Sequence, residues 1–539
     1  MRAIWLITVA SSCLMFFPAL LRGGQNQSNR GPKFHSSDRC VACHNGLTTP
    51  AGQDVSIGLD WRSSIMANSS RDPYWQASVR RETIDHPESK ADVENDCSIC
   101  HMPIVYHEAS LRGGKASVFE HLPFDPAKKN NANAEDGVSC SVCHQVSKEK
   151  LGTSDTFNGK FIVEKPSANN DHPEYGPFTP DTGHQLVMRS STGGFVPTEA
   201  AHIRDSALCG SCHTLTTAAL GPAGKQIGSL PEQRPYQEWL HSGFSGKYSC
   251  QDCHMPEVQQ AMPITAVLGV PRQGLHQHTF IGGNFFMLQV LNRYRDELSV
   301  VALPNELSLQ SQKTIEFLQS QATRVSIEAP DTVGDRIQFN VSVENLTGHK
   351  LPTAYPSRRV WLHVRISDSN GNIVFESGKL RSDGSIVGND NDSDAMHYEP
   401  HYHEITSSDQ VQIYEPILKD FRGVVTTGLL AAVGYLKDNR LLPKGFDKAT
   451  ADADIAVVGN AAADPDFTGG GDVIRYSVAK GATHGPHHIL VELWYQPIGF
   501  RWAHNLAPYD SKETHRLVDY YQSMSEATAV VLARAEATR

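Results

Sequence analysis

The stretch VENDCSICHMPIVYH, residues 93–107, sets two cysteines three positions apart, a histidine directly after the second, and another histidine six positions further on. Its five-residue centre recurs. The chain reads CVACH at Cys40–His44, CSICH at Cys97–His101, CSVCH at Cys140–His144, CGSCH at Cys209–His213 and CQDCH at Cys250–His254. With 11 Cys and 25 His in 539 residues, five copies exceed chance. The chemistry that needs this order is c-type haem attachment. Two thiols add across the two vinyl groups of haem, and the following imidazole becomes the proximal iron ligand. Zinc ribbons pair CxxC units into fours, which an odd number of copies cannot satisfy. The sequence therefore predicts five covalent haem c groups. They are held by Cys40 and Cys43, Cys97 and Cys100, Cys140 and Cys143, Cys209 and Cys212, and Cys250 and Cys253, with His44, His101, His144, His213 and His254 as proximal ligands.

These motifs consume ten of the 11 cysteines and leave Cys13. Cys13 sits in MRAIWLITVASSCLMFFPALLRGG, residues 1–24, which reads as a signal peptide or an N-terminal membrane anchor. Covalent haem attachment requires a compartment outside the cytoplasm, so an exported protein, periplasmic or extracellular, is expected. The formal net charge of −11 argues against nucleic-acid partners and favours redox partner proteins steered by charge, such as other cytochromes or a membrane oxidoreductase.

The pattern along the chain predicts an α+β multidomain protein. Residues 25–283 carry all five motifs, separated by Gly-, Pro-, Asn- and Asp-rich segments, and read as a loop-rich multihaem cytochrome c domain with short helices. Residues 284–321 have helical periodicity and read as a connector. From 322 to 505, runs such as RIQFNVSVENL and RRVWLHVRISDSNGNIVFESG alternate apolar and polar residues, predicting an antiparallel β-sandwich with a long insertion at about 380–475. The Asn-Gly of DSNGN supplies a hairpin turn. Residues 506–539 read as a C-terminal helix.

Each iron also takes a sixth ligand or leaves that position open, and 20 histidines remain outside the motifs. His107 and His202 stand close in sequence to motifs. His278 precedes two glycines that permit close approach to something flat, and His349 sits where a strand breaks into a Gly/Pro turn. With Met66, these are the expected distal ligands.

Met66 enters through a resemblance. The segment WRSSIMA, Trp61 to Ala67, is similar to the W-x-x-S-x-H-A motif that supplies a haem ligand in the cytochrome c-552/4 family, with Met66 in place of the family's histidine. EWLHSGF…SCQDCHMP and TGHKLPT…RRVWLHV also resemble segments of bacterial multihaem cytochromes, over most of residues 35–370. The resemblance implies electron transfer in a respiratory or extracellular chain. A thioether at Met66 would raise the potential of its haem above bis-His neighbours.

The alternative is a multihaem oxidoreductase with one open iron acting on a small nitrogen or sulfur compound. No CxxCK motif is present, and no cysteine outside the motifs other than Cys13 could ligate iron. Electron transfer is thus the leading expectation, because haem ligation explains every positive feature. Two side issues concern ions. The alternating Asp390, Asp392 and Asp394 offer a calcium loop. The clusters His397, His401, His403 and His484, His487, His488 offer metal ligands or a substrate wall.

Overall fold

The computed structural model describes residues 33–125, 127–128, 131–483 and 485–539. The expected signal peptide or anchor, Cys13 and His484 lie outside the described residues.

The haem-motif half is built from short helices joined by loops. Each CxxCH lies on or at the end of a helical turn: Asp38–Val41, Lys90–His101, Cys140–Cys143, Ser206–Gly210 and Cys250–His254. A helical turn brings positions three and four apart onto one face, so both thiols and the imidazole point the same way. Ser249 starts the last of these with a capping box, its hydroxyl accepting from the Asp252 N–H while the Asp252 carboxylate accepts from the Ser249 N–H. Longer helices and small sheets accompany them. Pro73–Asp85 is a 13-residue helix capped by Asp72, whose carboxylate accepts from the Tyr74 and Trp75 N–H groups. His172–Gly176 pairs in parallel with Phe195–Glu199, and Leu215–Leu220 pairs antiparallel with Gln226–Gln233.

Residues 284–321 contain the helices Phe285–Arg293 and Pro304–Gln321. The first buries Phe285, Phe286, Leu288 and Leu291 in the main core. Burial of side chains this size contributes about 1.5–3 kcal/mol each.

The second half contains two facing sheets. One orders the strands Thr323–Val333, Arg336–Asn345, Gly471–Ala479 and Glu404–Ile405. The other orders Ile413–Tyr414, Arg359–Ser367, His488–Gln496 and Val530–Thr538, with Ile373–Ser377 also on Arg359–Ser367. Alternation sets the burial: Ile337, Phe339, Val341 and Val343 point into the core between the sheets while their neighbours are half-buried or exposed. The DSNGN turn is present between Arg359–Ser367 and Ile373–Ser377, with Gly371 at φ +82°. One short pair, Glu404–Ile405 on Gly471–Ala479, is parallel.

Residues 380–475, the segment read as an insertion, form a layer, and the C-terminus differs from expectation. Trp361 and Trp494 stack on the outer face of one sheet and are covered by Ile386, Val411 and Ile413. The strands Pro416–Asp420 and Ala432–Asp438 then reach the haem-motif half, where Leu230 packs with Leu418 and Ala432. At the C-terminus only Lys512–Ser523 is a regular α-helix, and Val530–Thr538 is a strand paired with His488–Gln496. Val530, Val531 and Leu532 gain a sheet edge there, which outweighs the helix propensity of the Ala, Arg and Glu that follow.

Candidate haem-binding site

All ten motif cysteines and all five motif histidines line one continuous cavity of about 1960 Å³. Thiol contacts join Cys40 to Cys140, Cys100 to Cys212 and Cys209 to Cys250, so motifs distant in sequence stand side by side.

Four of the five motif histidines are held in one tautomer. The Nδ1–H of His44 donates to the Ile264 carbonyl at 2.6 Å, that of His101 to Ser69 at 3.0 Å, that of His144 to Tyr175 at 2.6 Å, and that of His254 to Ile281 at 2.5 Å. This leaves Nε2 with its lone pair free, the arrangement that metal-ligating histidines adopt. Burial keeps these imidazoles neutral and lowers His101 and His213 to about 4. Paired thiols beside a neutral, pre-oriented imidazole on an open cavity wall are the donor set that haem c requires, so the residues fit the group.

Two of the expected distal histidines face motif histidines. The His144 and His278 rings lie 6.3 Å apart between centroids, with planes 16° from parallel. His254 and His349 lie 6.2 Å apart at 9°. Two imidazoles sharing a metal at about 2 Å per bond place their centroids about 6 Å apart. The Nδ1–H of His278 donates to the His276 carbonyl at 3.0 Å and that of His349 to the Lys350 carbonyl at 2.9 Å, freeing Nε2 in both. Of the two glycines after His278, Gly283 meets a flat group: a Cβ there would lie 2.6 Å from the Tyr495 hydroxyl and 3.3 Å from its ring, so the sandwich domain occupies that approach.

Met66 also lines the cavity, while its carbonyl accepts from the Val138 N–H. His107 and His202 are placed elsewhere. His107 Nε2 is buried without a hydrogen-bond partner, beside Phe34 and Phe161, and His107 is not among the residues lining the cavity. His202 Nε2 donates to the Val146 carbonyl at 2.8 Å, and Tyr175 packs edge-on against its ring. His276 was not anticipated. It lines the cavity, and its Nδ1–H donates to the Met255 carbonyl at 2.6 Å, the same pattern as in the motif histidines. Its signal in the sequence is the HQH spacing shared with His278.

The residues of the two ion readings have protein partners, and His401 and His403 each also stand with two carboxylates, Asp464 with Asp472 and Asp464 with Asp466. Asp392 is buried and forms a two-pronged pair with Arg359 at 2.7 and 2.9 Å, and it also accepts from the Ile386 N–H. An arginine therefore fills the position that calcium would take. His401 is likewise committed: its Nδ1 accepts from the amides of Gln412 at 2.9 Å and Asn439 at 3.1 Å. Those amides cannot flip, because their oxygens accept from the Tyr402 and Glu415 N–H groups. The proton therefore sits on Nε2, facing Asp464 at 3.2 Å, and a metal there would need the opposite tautomer. His397 is exposed and pairs with Asp394 at 3.0 Å, and His403 stands 3.4 Å from Asp464. His487 and His488 bond Thr483 and Glu536.

An α+β scaffold that turns five CxxCH motifs onto one cavity has the fold of the multihaem c-type cytochromes. Among solved structures, the chain is similar to the crystal structure of a penta-heme cytochrome c552 from Thermochromatium tepidum. The TM-score is 0.52 at 15% identity, with 94% of this chain and 99% of that chain covered. No protein-family model and no curated protein sequence matches the chain.

Proposed function

We propose that this chain is an exported electron-transfer cytochrome carrying five haem c groups in a respiratory or extracellular chain, with other redox proteins as its donor and acceptor. The single observation that carries the reading is the convergence of all fifteen motif residues on one cavity. Bound haem supplies one-electron chemistry at its iron. The chain's own residues anchor it through the paired cysteines and fix four of the five proximal imidazoles, those of His44, His101, His144 and His254, through a backbone carbonyl. They keep the groups adjacent through the contacts at Cys40 and Cys140, Cys100 and Cys212, and Cys209 and Cys250. His278 and His349 are the sixth ligands opposite His144 and His254. His276 and Met66 are candidates for the remaining irons. The solved relative is described as a penta-heme protein, in keeping with five groups here. Among the described residues no helix is long and apolar enough to cross a membrane.

One feature favours the second reading, an oxidoreductase with one open iron acting on a small nitrogen or sulfur compound. The ring stacked on His101 is the indole of Trp75, at 4.5 Å. The buried carboxyls of Glu82 and Glu232 bear on Cys97 of the same motif, and Tyr74 and Tyr355 line the cavity beside them. The test is stopped-flow oxidation of the reduced holoprotein. Electron transfer predicts rapid oxidation of all five haems by a cytochrome acceptor and no turnover of nitrite, hydroxylamine or sulfite. Turnover of any of these would replace the reading by the second one.

A further inference from the structure

Four buried charges tie the His349 loop to the haem-motif half. Glu238, on helix Pro235–Leu240, is fully buried. Its Oε2 accepts from the Lys350 N–H at 3.1 Å and from the Thr353 hydroxyl at 2.5 Å. Its Oε1 lies 3.1 Å from the Arg440 guanidinium. Arg440 in turn grips Asp438 at 2.8 and 2.7 Å, and the Lys350 ammonium donates to Asp438 at 2.7 Å. The two cations and two anions balance.

Burying four charges is costly, and networks of this kind contribute little net stability compared with apolar packing of the same volume. Their location is therefore the informative point. Lys350 is held at its N–H by Glu238, and its carbonyl receives the His349 Nδ1–H at 2.9 Å. The residue that orients the imidazole is thus itself fixed by a carboxylate from the other half of the chain. Gly348 completes the seat: a Cβ there would meet Trp239, the residue after Glu238, at 3.4 Å. Groups that orient a metal-bound histidine through its second nitrogen tune both affinity and potential.

We infer that Glu238 is a positioning residue for the iron held at His254: through Lys350 and Thr353 it sets the His349 loop, and Arg440 and Asp438 hold its charge in place. The inference rests on the reading of His349 as the sixth ligand, so the experiment has separate arms for the two. In the holoprotein, His349→Ala is expected to make one haem in five high-spin by low-temperature EPR; five low-spin haems would overturn the ligand reading. Glu238→Ala is expected to give a partial high-spin signal and to shift the midpoint potential of that same haem alone. Glu238→Gln, which keeps an acceptor oxygen for Lys350 and Thr353, is expected to restore the low-spin state. A wild-type spectrum and five unchanged potentials in Glu238→Ala, with His349→Ala high-spin, would overturn the positioning role alone. If Glu238→Ala does not fold, Thr353→Val decides, since it removes one bond and no charge: an unchanged potential for that haem overturns the inference, and a shift confined to it supports it.

Discussion

His254 and His349 face each other at 6.2 Å with their rings 9° from parallel, one on a CxxCH helix and the other on a loop between two strands of the sandwich. The sandwich is therefore part of the cavity wall. Its loop supplies a wall of the cavity, its Tyr495 closes on Gly283, and its insertion packs on the hairpin of the haem-motif half.

The matching pair, His144 and His278, gives an independent test of distal ligation. His278→Ala should convert one haem to high spin, and the double variant with His349→Ala should convert two. Magnetic circular dichroism of the oxidised protein reads both states. An all-low-spin spectrum in both single variants would remove these residues from the ligand set. His107→Ala, by contrast, should leave every haem low-spin, because His107 is not among the residues that line the cavity.

The acidic loop is held by an arginine. Asp392→Ala would leave the buried Arg359 guanidinium without its carboxylate, and should cost about 3–5 kcal/mol in chemical denaturation. Calcium or a chelator should not move the thermal midpoint of the wild type. A calcium-dependent rise would contradict the assignment.

Asp472 predicts a pH dependence with a definite sign. Burial pushes its carboxyl up to about 7, against about 3.9 in an unfolded chain. The folded state therefore holds the proton longer, and the associated stability, present in full below about pH 4, is lost as pH rises toward 7. Asp472→Asn removes this dependence. The stability of wild type relative to the variant should fall by up to about 4 kcal/mol between pH 4 and 7.5, as read from thermal midpoints at each pH. A difference that stays flat or grows with pH would contradict the assignment.

The strand Val530–Thr538 covers the edge of His488–Gln496. Deleting residues 530–539 should expose that edge and produce self-association, visible as high-mass species in light scattering. A monodisperse truncated protein with unchanged thermal midpoint would show that the strand is dispensable.

What could be read from the sequence was what local chemistry dictates. The five CxxCH motifs specify their own helical turns, the alternation of Ile337 to Val343 specifies a half-buried strand, and Asn370-Gly371 specifies a tight turn. Distal ligation has no such local signature. His278 and His349 had turn chemistry around them and lie on the cavity. His107 and His202 had only proximity in sequence, and packing turned one into the core and the other onto the Val146 carbonyl. The Asp390–Asp394 loop looked like an ion site because its partner, Arg359, is far away in sequence. The terminal strand read as a helix because residues such as Ala533, Arg534 and Glu536 favour helix until a sheet edge is offered.

The most direct test of the central claim is the haem stoichiometry of the exported protein, by pyridine haemochrome and intact mass under denaturing conditions. The account predicts five haems per chain, all retained after acid–acetone extraction, and none lost unless one of the ten motif cysteines is replaced. Fewer than five, or haem that extracts, would contradict it.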